Sequence, residues 1–505
     1  MTGKNGQGER HTPVDLSAEQ FADIGHRLVD DVADLLASIR ERPVGPGETP
    51  QQVRARLDAD AGLPPDGADP ARLVADATRM LVDHSIYNGH PRFFGYITAG
   101  PAPIGILSDM LAAAINPNVG AWALSPMATE IEEQTTRWLA ELVGFPAGGG
   151  GVLVSGGNVA NMLGFWTARA AKAGWDVRRR GMAGAEARAL RVYAGRGTHT
   201  WIQKATDLSG LGFDAIHWVD VDDRERMDPD ALVAAIEADA RAGERPFLVV
   251  GTGGTVSTGA VDPLPRLREI CDEHGLWMHV DGAYGAFAAA SALAPDDLRG
   301  LALADSVALD PHKWLYAPME AGCTLVRDRD ALLSAFSYRP EYYAFEDAGT
   351  NFFELGIQNS RGFRALKVWM ILKHLGRDAY VRTLEQDIET ARAFFEICVA
   401  DPELEPLTNG LSITTYRYVP TELAARADEP AVAEYLNRLH QVIRDRMEHG
   451  GDAFVSQALL GKVFALRMCV VNFRTTLADV RRLAEITVEL GRAVDSELRP
   501  ASVSA

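Results

Sequence analysis

Residues 305–318 read DSVALDPHKWLYAP, and this stretch is the most informative part of the sequence for both the fold and the chemistry of the chain. The apolar run Ser306–Leu309 is typical of a buried strand, and Asp310, His312 and Lys313 follow its end. Burial disfavours the ammonium form of a lysine, so a lysine in this position can become a neutral amine that forms a Schiff base. These few residues alone also allow a surface lysine beside a turn proline.

Apolar runs of four to eight residues alternate with helical patterns upstream of this stretch. In order, the runs lie in GVLVSGG, ALRVYAG, FDAIHWV, PFLVVGTGG, LWMHVDGAYG and DSVALDPH. The alternation predicts an α/β fold with a mostly parallel sheet covered by helices on both faces. In such sheets ligands bind at the carboxyl ends of the strands, which is where the candidate functional residues lie.

The chain is predicted to have four parts. Residues 1–14 are polar and predicted to be disordered. Residues 15–94 are predicted to form helices that each carry one apolar stripe. Such helices do not form a stable unit alone, so they must pack against another part of the protein or its partner. Residues 95–375 hold the large α/β domain, and residues 376–498 predict a smaller α+β domain.

Composition excludes several classes of function. The net charge of −19 disfavours nucleic acid and anionic membranes as partners. No apolar run is long enough for a membrane span, and the first residues lack the apolar core of a signal peptide, so we expect a cytoplasmic protein. Four cysteines without a CxxC pair predict neither a disulfide framework nor a metal site.

Asp281 closes the almost wholly apolar strand in LWMHVDGAYG. A carboxylate there is costly to bury without a positive partner. It either caps a helix, joins a buried ion pair, or holds the protonated ring nitrogen of a ligand, and the small Ala283 leaves room for a flat ring beside it.

Three further strand ends carry candidate ligand contacts. The turn Ser155-Gly156-Gly157-Asn158 precedes a helix whose free N–H groups can bind a phosphate. Thr255 is a strand-end hydroxyl beside glycines, and His199 could stack on a flat ring; both also fit ordinary structural roles. The spacing matches neither a Walker loop nor a dinucleotide fingerprint. These residues together require a ligand with an aldehyde for Lys313, a ring nitrogen for Asp281, a phosphate for the glycine turn and a flat ring for His199. Pyridoxal 5'-phosphate (PLP) has all four groups and is the predicted cofactor.

From about residue 15 to 495 the chain resembles the PLP-dependent group II amino acid decarboxylases, which include aromatic-L-amino-acid, glutamate and histidine decarboxylases. The motifs HPRFFGY, SPMATEIE, VSGGNVAN, HVDGAYG, DPHKW and NSRGFRALKVW occur in family order. The resemblance implies PLP-dependent fold type I. It also implies an obligate homodimer that the N-terminal helical segment helps to form, with each pocket completed by the neighbouring subunit. The expected reaction converts an L-amino acid to the corresponding amine and CO₂, and we expect this amino acid to be aromatic.

The resemblance also implies roles for individual residues. Lys313 forms the Schiff base with PLP, Asp281 holds the pyridinium proton, and His199 stacks on the ring. The implied cofactor contacts also include Gly157, Asn158, Thr255, Ala283 and His312. A tyrosine of a mobile loop supplies a proton in the family, and Tyr342 fits best through its Pro-x-Tyr context, with Tyr343 next to it. The alternative for this loop is a packed aromatic cluster.

The implied substrate pocket departs from the aromatic members of the family. Its residues are Asn88, Tyr96, Ile97, Asn118, Gly120 and Trp122. Asn88, Asn118 and Gly120 predict a roomier and more polar pocket, and Asp310 replaces an asparagine on the phosphate side. The open alternatives are a non-aromatic substrate, decarboxylation with oxidative deamination to an aldehyde, another fold-type I lyase or aminotransferase, and a non-enzymatic cofactor-binding protein.

Overall fold

The computed structural model describes residues 14–184, 187, 189–339 and 349–503. Its helices are α1 (Ala18–Ser38), α2 (Pro50–Leu57), α3 (Pro70–His84), α4 (Pro103–Ile115), α5 (Pro126–Leu142), α6 (Gly157–Lys172), α7 (Val177–Arg180), α8 (Trp201–Leu208), α9 (Pro229–Arg241), α10 (Leu264–His274), α11 (Arg329–Phe336), α12 (Ala365–Ala400), α13 (Pro430–Gly450) and α14 (Leu477–Leu498). Its strands are β1 (Gly150–Val154), β2 (Leu190–Gly195), β3 (Ile216–Val219), β4 (Arg245–Thr252), β5 (Trp277–Asp281), β6 (Ser306–Leu309), β7 (Gly322–Val326), β8 (Leu404–Gly410), β9 (Ile413–Tyr418), β10 (Ser456–Leu460) and β11 (Val463–Cys469).

The chain divides into two compact units. The first runs to Tyr87 and includes Glu448–Asp452, and the second holds the rest of the chain. In the first unit α1 packs against α3, and none of the residues of α1, α2 and α3 is buried. The side chain of Ser17 caps α1 by accepting from the N–H of Gln20, as its position before the apolar pattern predicts.

A seven-stranded sheet forms the centre of the second unit, with strand order β1-β7-β6-β5-β4-β2-β3. The pairs from β6 through β5, β4 and β2 to β3 are parallel, and only the pairs with β7 are antiparallel. All four residues of β6 are buried, as the apolar run predicts. Asp281 at the end of β5 is in register with Thr252 of β4 and Ala308 of β6, so three strand ends meet at one edge.

A buried ion pair joins this sheet to the segment before α12. The guanidinium of Arg361 donates to Glu132 of α5 at 3.1 Å and to the carbonyl of Val119 at 2.9 Å. Glu132 in turn accepts from the N–H of Leu153 in β1 at 3.0 Å. Because both charges are buried and hydrogen-bonded, the pair fixes where the segment around Arg361 lies.

The second sheet is antiparallel, with order β10-β11-β9-β8, and the helices α12 and α14 pack against it. The long helix α12 bends at Gly376, which has φ of +66°, a value that favours glycine. The predicted boundary between the large and the small domain, at residues 375 and 376, lies at this bend. This boundary and the predicted boundary after residue 94 both stay predictions. Among the described residues, no helix is long and apolar enough to cross a membrane.

Candidate active site

A cavity of about 240 Å³ opens at the carboxyl ends of the parallel strands. Its lining combines glycine-rich turns with two carboxylates, two imidazoles and one amine. The lining residues are Ser155, Gly156, Gly157, Asn158, Asn161, Gly197, His199, Thr252, Gly254, Val256, Asp281, Ala283, Tyr284, Asp310, His312 and Lys313. The structure thus brings together Lys313, Asp281, His199 and the glycine turn, which the sequence places far apart.

Lys313 reaches this cavity from the tight turn that follows β6. Its backbone N–H donates to the carbonyl of Asp310 at 2.8 Å, and its Nζ lies 3.4 Å from Oδ2 of Asp310. The following residue, Trp314, is buried, stacks on Tyr284 with ring centroids 5.0 Å apart, and donates its Nε1–H to Asp387 at 2.9 Å. These contacts hold the backbone on either side of Lys313, so the amine projects from a rigid turn.

Asp281 is 7% exposed and already has two donors. The Nε1–H of Trp201 donates to its Oδ2 at 2.8 Å, and the N–H of Ala283 donates to its Oδ1 at 3.2 Å. The carboxylate is therefore oriented and able to hold a protonated ring nitrogen, and Trp201 is a contact that the sequence interpretation missed.

His199 lies on the wall of the same cavity, and its Nδ1 accepts from the N–H of Trp201 at 3.3 Å. Burial lowers the pKa of His199, while the nearby charge of Asp281 acts in the opposite direction and Lys313 adds to the lowering. A neutral imidazole is suited to lie against an aromatic ring without adding charge to it.

A buried histidine, His279, connects β5, the strand of Asp281, to the helix α6. The Nε2 of His279 lies 2.8 Å from Oδ1 of Asn161, and its Nδ1 lies 2.8 Å from Oγ of Ser306. Burial lowers the pKa of His279 to about 4. Asn161 also donates to the carbonyl of Gly157 at 2.9 Å, so α6 is held at a set distance from β5.

The glycine turn at the start of α6 fits a phosphate. Gly156 has φ of +111°, and a Cβ at Gly157 would lie 2.7 Å from Oδ2 of Asp310 and 3.2 Å from the Cβ of Ala283. Side chains at these positions would fill the space beside the N–H groups that begin the helix. Those N–H groups and the helix dipole favour an anion, so the turn, the amine of Lys313 and Asp281 together suit PLP.

Thr255 does not join this arrangement, which corrects the prediction that it lines the cofactor site. Its Oγ1 lies 2.8 Å from Oγ1 of Thr258 and accepts from the N–H of Ala260 at 3.1 Å, so it stabilises its own loop. Thr252, Gly254 and Val256 of the same segment line the cavity instead. The difference arises beyond the end of β4, where Gly254 has φ of +118° and the chain no longer alternates as a strand does.

The predicted substrate residues lie outside the lining of this cavity within the single chain. Asn88 is half-buried at the start of the second unit, and Ile97 is in the core. Tyr96 is 60% exposed, packs on Phe454 with ring centroids 6.0 Å apart, and has φ of +52°. Trp122 donates its Nε1–H to Glu130 at 2.9 Å.

Within the single chain Asn118 and Gly120 make structural contacts, and their predicted part in a pocket shared with the neighbouring subunit stays a prediction. A Cβ at Gly120 would lie 2.2 Å from the carbonyl oxygen of Asn359, so the glycine allows a backbone contact and leaves no space. Oδ1 of Asn118 accepts from the N–H groups of Gly120 and Arg361, both at 3.1 Å. Both residues therefore hold the segment around Arg361 in place.

Tyr342 and Tyr343 fall in residues 340–348, outside the described residues, so their predicted role stays a prediction. The cavity lining also contains residues that were not singled out, among them Asn161, Thr252, Val256 and Tyr284. Asn161 lies one helical turn after Gly157 in α6, so helical spacing could have indicated this residue.

The fold and this site define a PLP-binding α/β enzyme, and comparisons with known proteins identify its family. The model for the pyridoxal-dependent decarboxylase conserved domain matches residues 50–415. The aromatic-L-amino-acid decarboxylase of Bacillus atrophaeus is 31% identical over 93% of this chain and 95% of its own length. The acidic amino acid decarboxylase of Homo sapiens is 29% identical over 94% of this chain and 91% of its own length.

A solved structure shows the same fold. The crystal structure of Oryza sativa TDC with PLP and tryptamine has a TM-score of 0.87 and 26% identity, and the match covers 96% of this chain and 99% of that chain. The chain therefore belongs to the pyridoxal-dependent decarboxylase family and is a PLP-dependent amino acid decarboxylase. The predicted fold class, family and cofactor are confirmed.

Proposed function

We propose that the enzyme converts an aromatic L-amino acid to the corresponding amine and CO₂, and that it acts as a homodimer in the cytoplasm. The observation that carries the choice of substrate is the similarity to the aromatic-L-amino-acid decarboxylase of Bacillus atrophaeus, which is 31% identical over 93% of this chain.

Two further relatives with aromatic substrates in their names support the proposal. The tryptophan decarboxylase 2 of Oryza sativa is 30% identical over 93% of this chain, and the tyrosine decarboxylase 4 of Petroselinum crispum is 29% identical over 93% of this chain. Relatives that act on other amino acids make the substrate a matter for experiment.

The described residues divide the work of this reaction. Bound PLP supplies an electron sink for the electrons left at the α-carbon when CO₂ departs. Lys313 would hold the cofactor through its side-chain amine. Asp281, held by Trp201 and Ala283, would keep a proton on the ring nitrogen and so stabilise developing negative charge. His199 would lie against the ring.

A panel of L-amino acids tests the proposed substrate. The holoenzyme is incubated with aromatic, acidic, basic and branched-chain amino acids, and amine and CO₂ are measured without added keto acid. We expect kcat/KM for the best aromatic substrate to exceed that for glutamate and aspartate by at least about 100-fold, the discrimination that a few contacts can supply. Preference for an acidic or basic amino acid would refute the substrate assignment, and dependence on a keto acid would indicate an aminotransferase.

The product depends on the loop tyrosine in residues 340–348. If Tyr342 gives the proton to the α-carbon, Tyr342→Phe should shift the product from amine toward aldehyde, because the substituted ring has no acidic proton. Tyr343→Phe is the matched control and should keep the amine as the product. Amine, aldehyde and hydrogen peroxide are measured for each variant. Unchanged products from both variants would contradict a role for this loop in protonation.

A further inference from the structure

Asp310 lies against the turn where the helix α6 begins. Its Oδ2 accepts from the N–H of Gly157 at 3.0 Å, and the whole residue is 2% exposed. Its Oδ1 is buried and lies 2.9 Å from Nδ1 of His312, a nitrogen that also lies 3.0 Å from the carbonyl oxygen of Ala321. One carboxylate oxygen of Asp310 therefore accepts from the first N–H of α6, and the other lies beside His312.

The occupied donor belongs to the turn that fits the phosphate of PLP. The first N–H groups of a helix have no partner within the helix and attract anions. In this chain the first of them, at Gly157, already binds Asp310, and the nearest side-chain cation to that carboxylate is Lys313, with 3.4 Å between Nζ and Oδ2. A phosphate bound at the same turn would lie beside the buried negative charge of Asp310. The N–H of Gly157 would already be occupied by that carboxylate.

We propose that Asp310 competes with the phosphate group of PLP for the N-terminus of α6 and so weakens the binding of the cofactor. Like charges repel strongly where water is excluded, and two acceptors cannot both take the single N–H of Gly157. Either the carboxylate turns away when the phosphate binds, or the phosphate binds with one donor fewer. Both outcomes lower the affinity for PLP and leave the ring contacts at Asp281 unchanged, whichever amino acid is the substrate.

The affinity of the apoenzyme for PLP and for pyridoxal separates this effect from others, because pyridoxal has the same ring and aldehyde but no phosphate. Dissociation constants are measured by quenching of tryptophan fluorescence. We expect Asp310→Asn, which keeps the size and removes the charge, to bind PLP at least about tenfold more tightly. Its affinity for pyridoxal should change less than about twofold. Asp214→Asn, at an exposed position, changes the net charge by the same amount and should alter neither constant.

Asp310→Ser is a second variant without the charge and should show the same selective gain, which keeps the test valid if one variant folds poorly. Equal tightening of PLP and pyridoxal would overturn the proposal, since Asp310 would then act on Lys313 or the ring. Unchanged or weaker binding of PLP by a folded variant would also overturn it, because the carboxylate would then support the phosphate.

Discussion

Lys313→Ala should abolish the visible absorbance of the bound cofactor and lower the decarboxylation rate at least about 1,000-fold, the scale seen when a group that bonds covalently is removed. The reason is the position of the amine: Lys313 is held by a rigid turn at the carboxyl end of β6, inside the cavity that contains Asp281 and His199. No other lysine lines this cavity among the described residues. Absorbance spectra with and without PLP, together with amine formation, measure the effect.

Lys462→Ala is the control for Lys313→Ala, because Lys462 is exposed in the turn between β10 and β11. It should keep both absorbance and activity. Treatment with borohydride should attach the cofactor covalently to the wild type and to Lys462→Ala and leave Lys313→Ala unlabelled. Covalent label on Lys313→Ala at the wild-type level would show that another residue is the attachment site.

Asp281→Asn should have the second largest effect, a loss of kcat of at least about 100-fold. An amide cannot balance a positive charge on the ring nitrogen, so the stabilisation of negative charge in the transition state is lost. The structure predicts a smaller loss for Trp201→Phe, about tenfold, since this change removes only one of the two donors to the carboxylate. Steady-state kinetics with saturating PLP measure both effects.

The absorbance spectrum separates the role of Trp201 from a general loss of structure. If Trp201 acts through Asp281, Trp201→Phe should shift the absorbance of the bound cofactor in the same direction as Asp281→Asn, and by less. Trp175→Phe is the matched control, because the Nε1–H of Trp175 donates to the carbonyl of Gly181 at 3.1 Å and is not part of the cavity. A loss of activity with an unshifted spectrum would contradict the link between Trp201 and Asp281.

The parts of the site that follow directly from strand ends could be predicted from sequence. Lys313, Asp281, His199 and the Gly156-Gly157 turn each follow a short apolar run, and parallel strands bring their carboxyl ends to one edge. Thr255 shows the limit of this reasoning. It follows β4 as the argument requires, yet the loop turns its hydroxyl toward Thr258 and presents Thr252 and Val256 to the cavity.

The substrate side was the least predictable part. Asn118 and Gly120 were interpreted as open, polar pocket positions. Their actual surroundings come from the segment near Arg361, more than two hundred residues later in the chain, which is held by the buried pair of Arg361 and Glu132. A glycine that permits a close backbone contact and a glycine that leaves space look identical in a sequence.

The sequence by itself determined the α/β class, the family and several residues that line the cavity, because these depend on apolar runs of a few residues and on motifs at their ends. Only the tertiary structure decided that Trp201 donates to Asp281 and that Asp310 takes the N–H of Gly157. These partners are 80 and 153 residues apart, and strand register and helix packing bring them together. A local pattern specifies where a side chain leaves a strand, whereas its hydrogen-bond partner is set by elements packed from elsewhere in the chain.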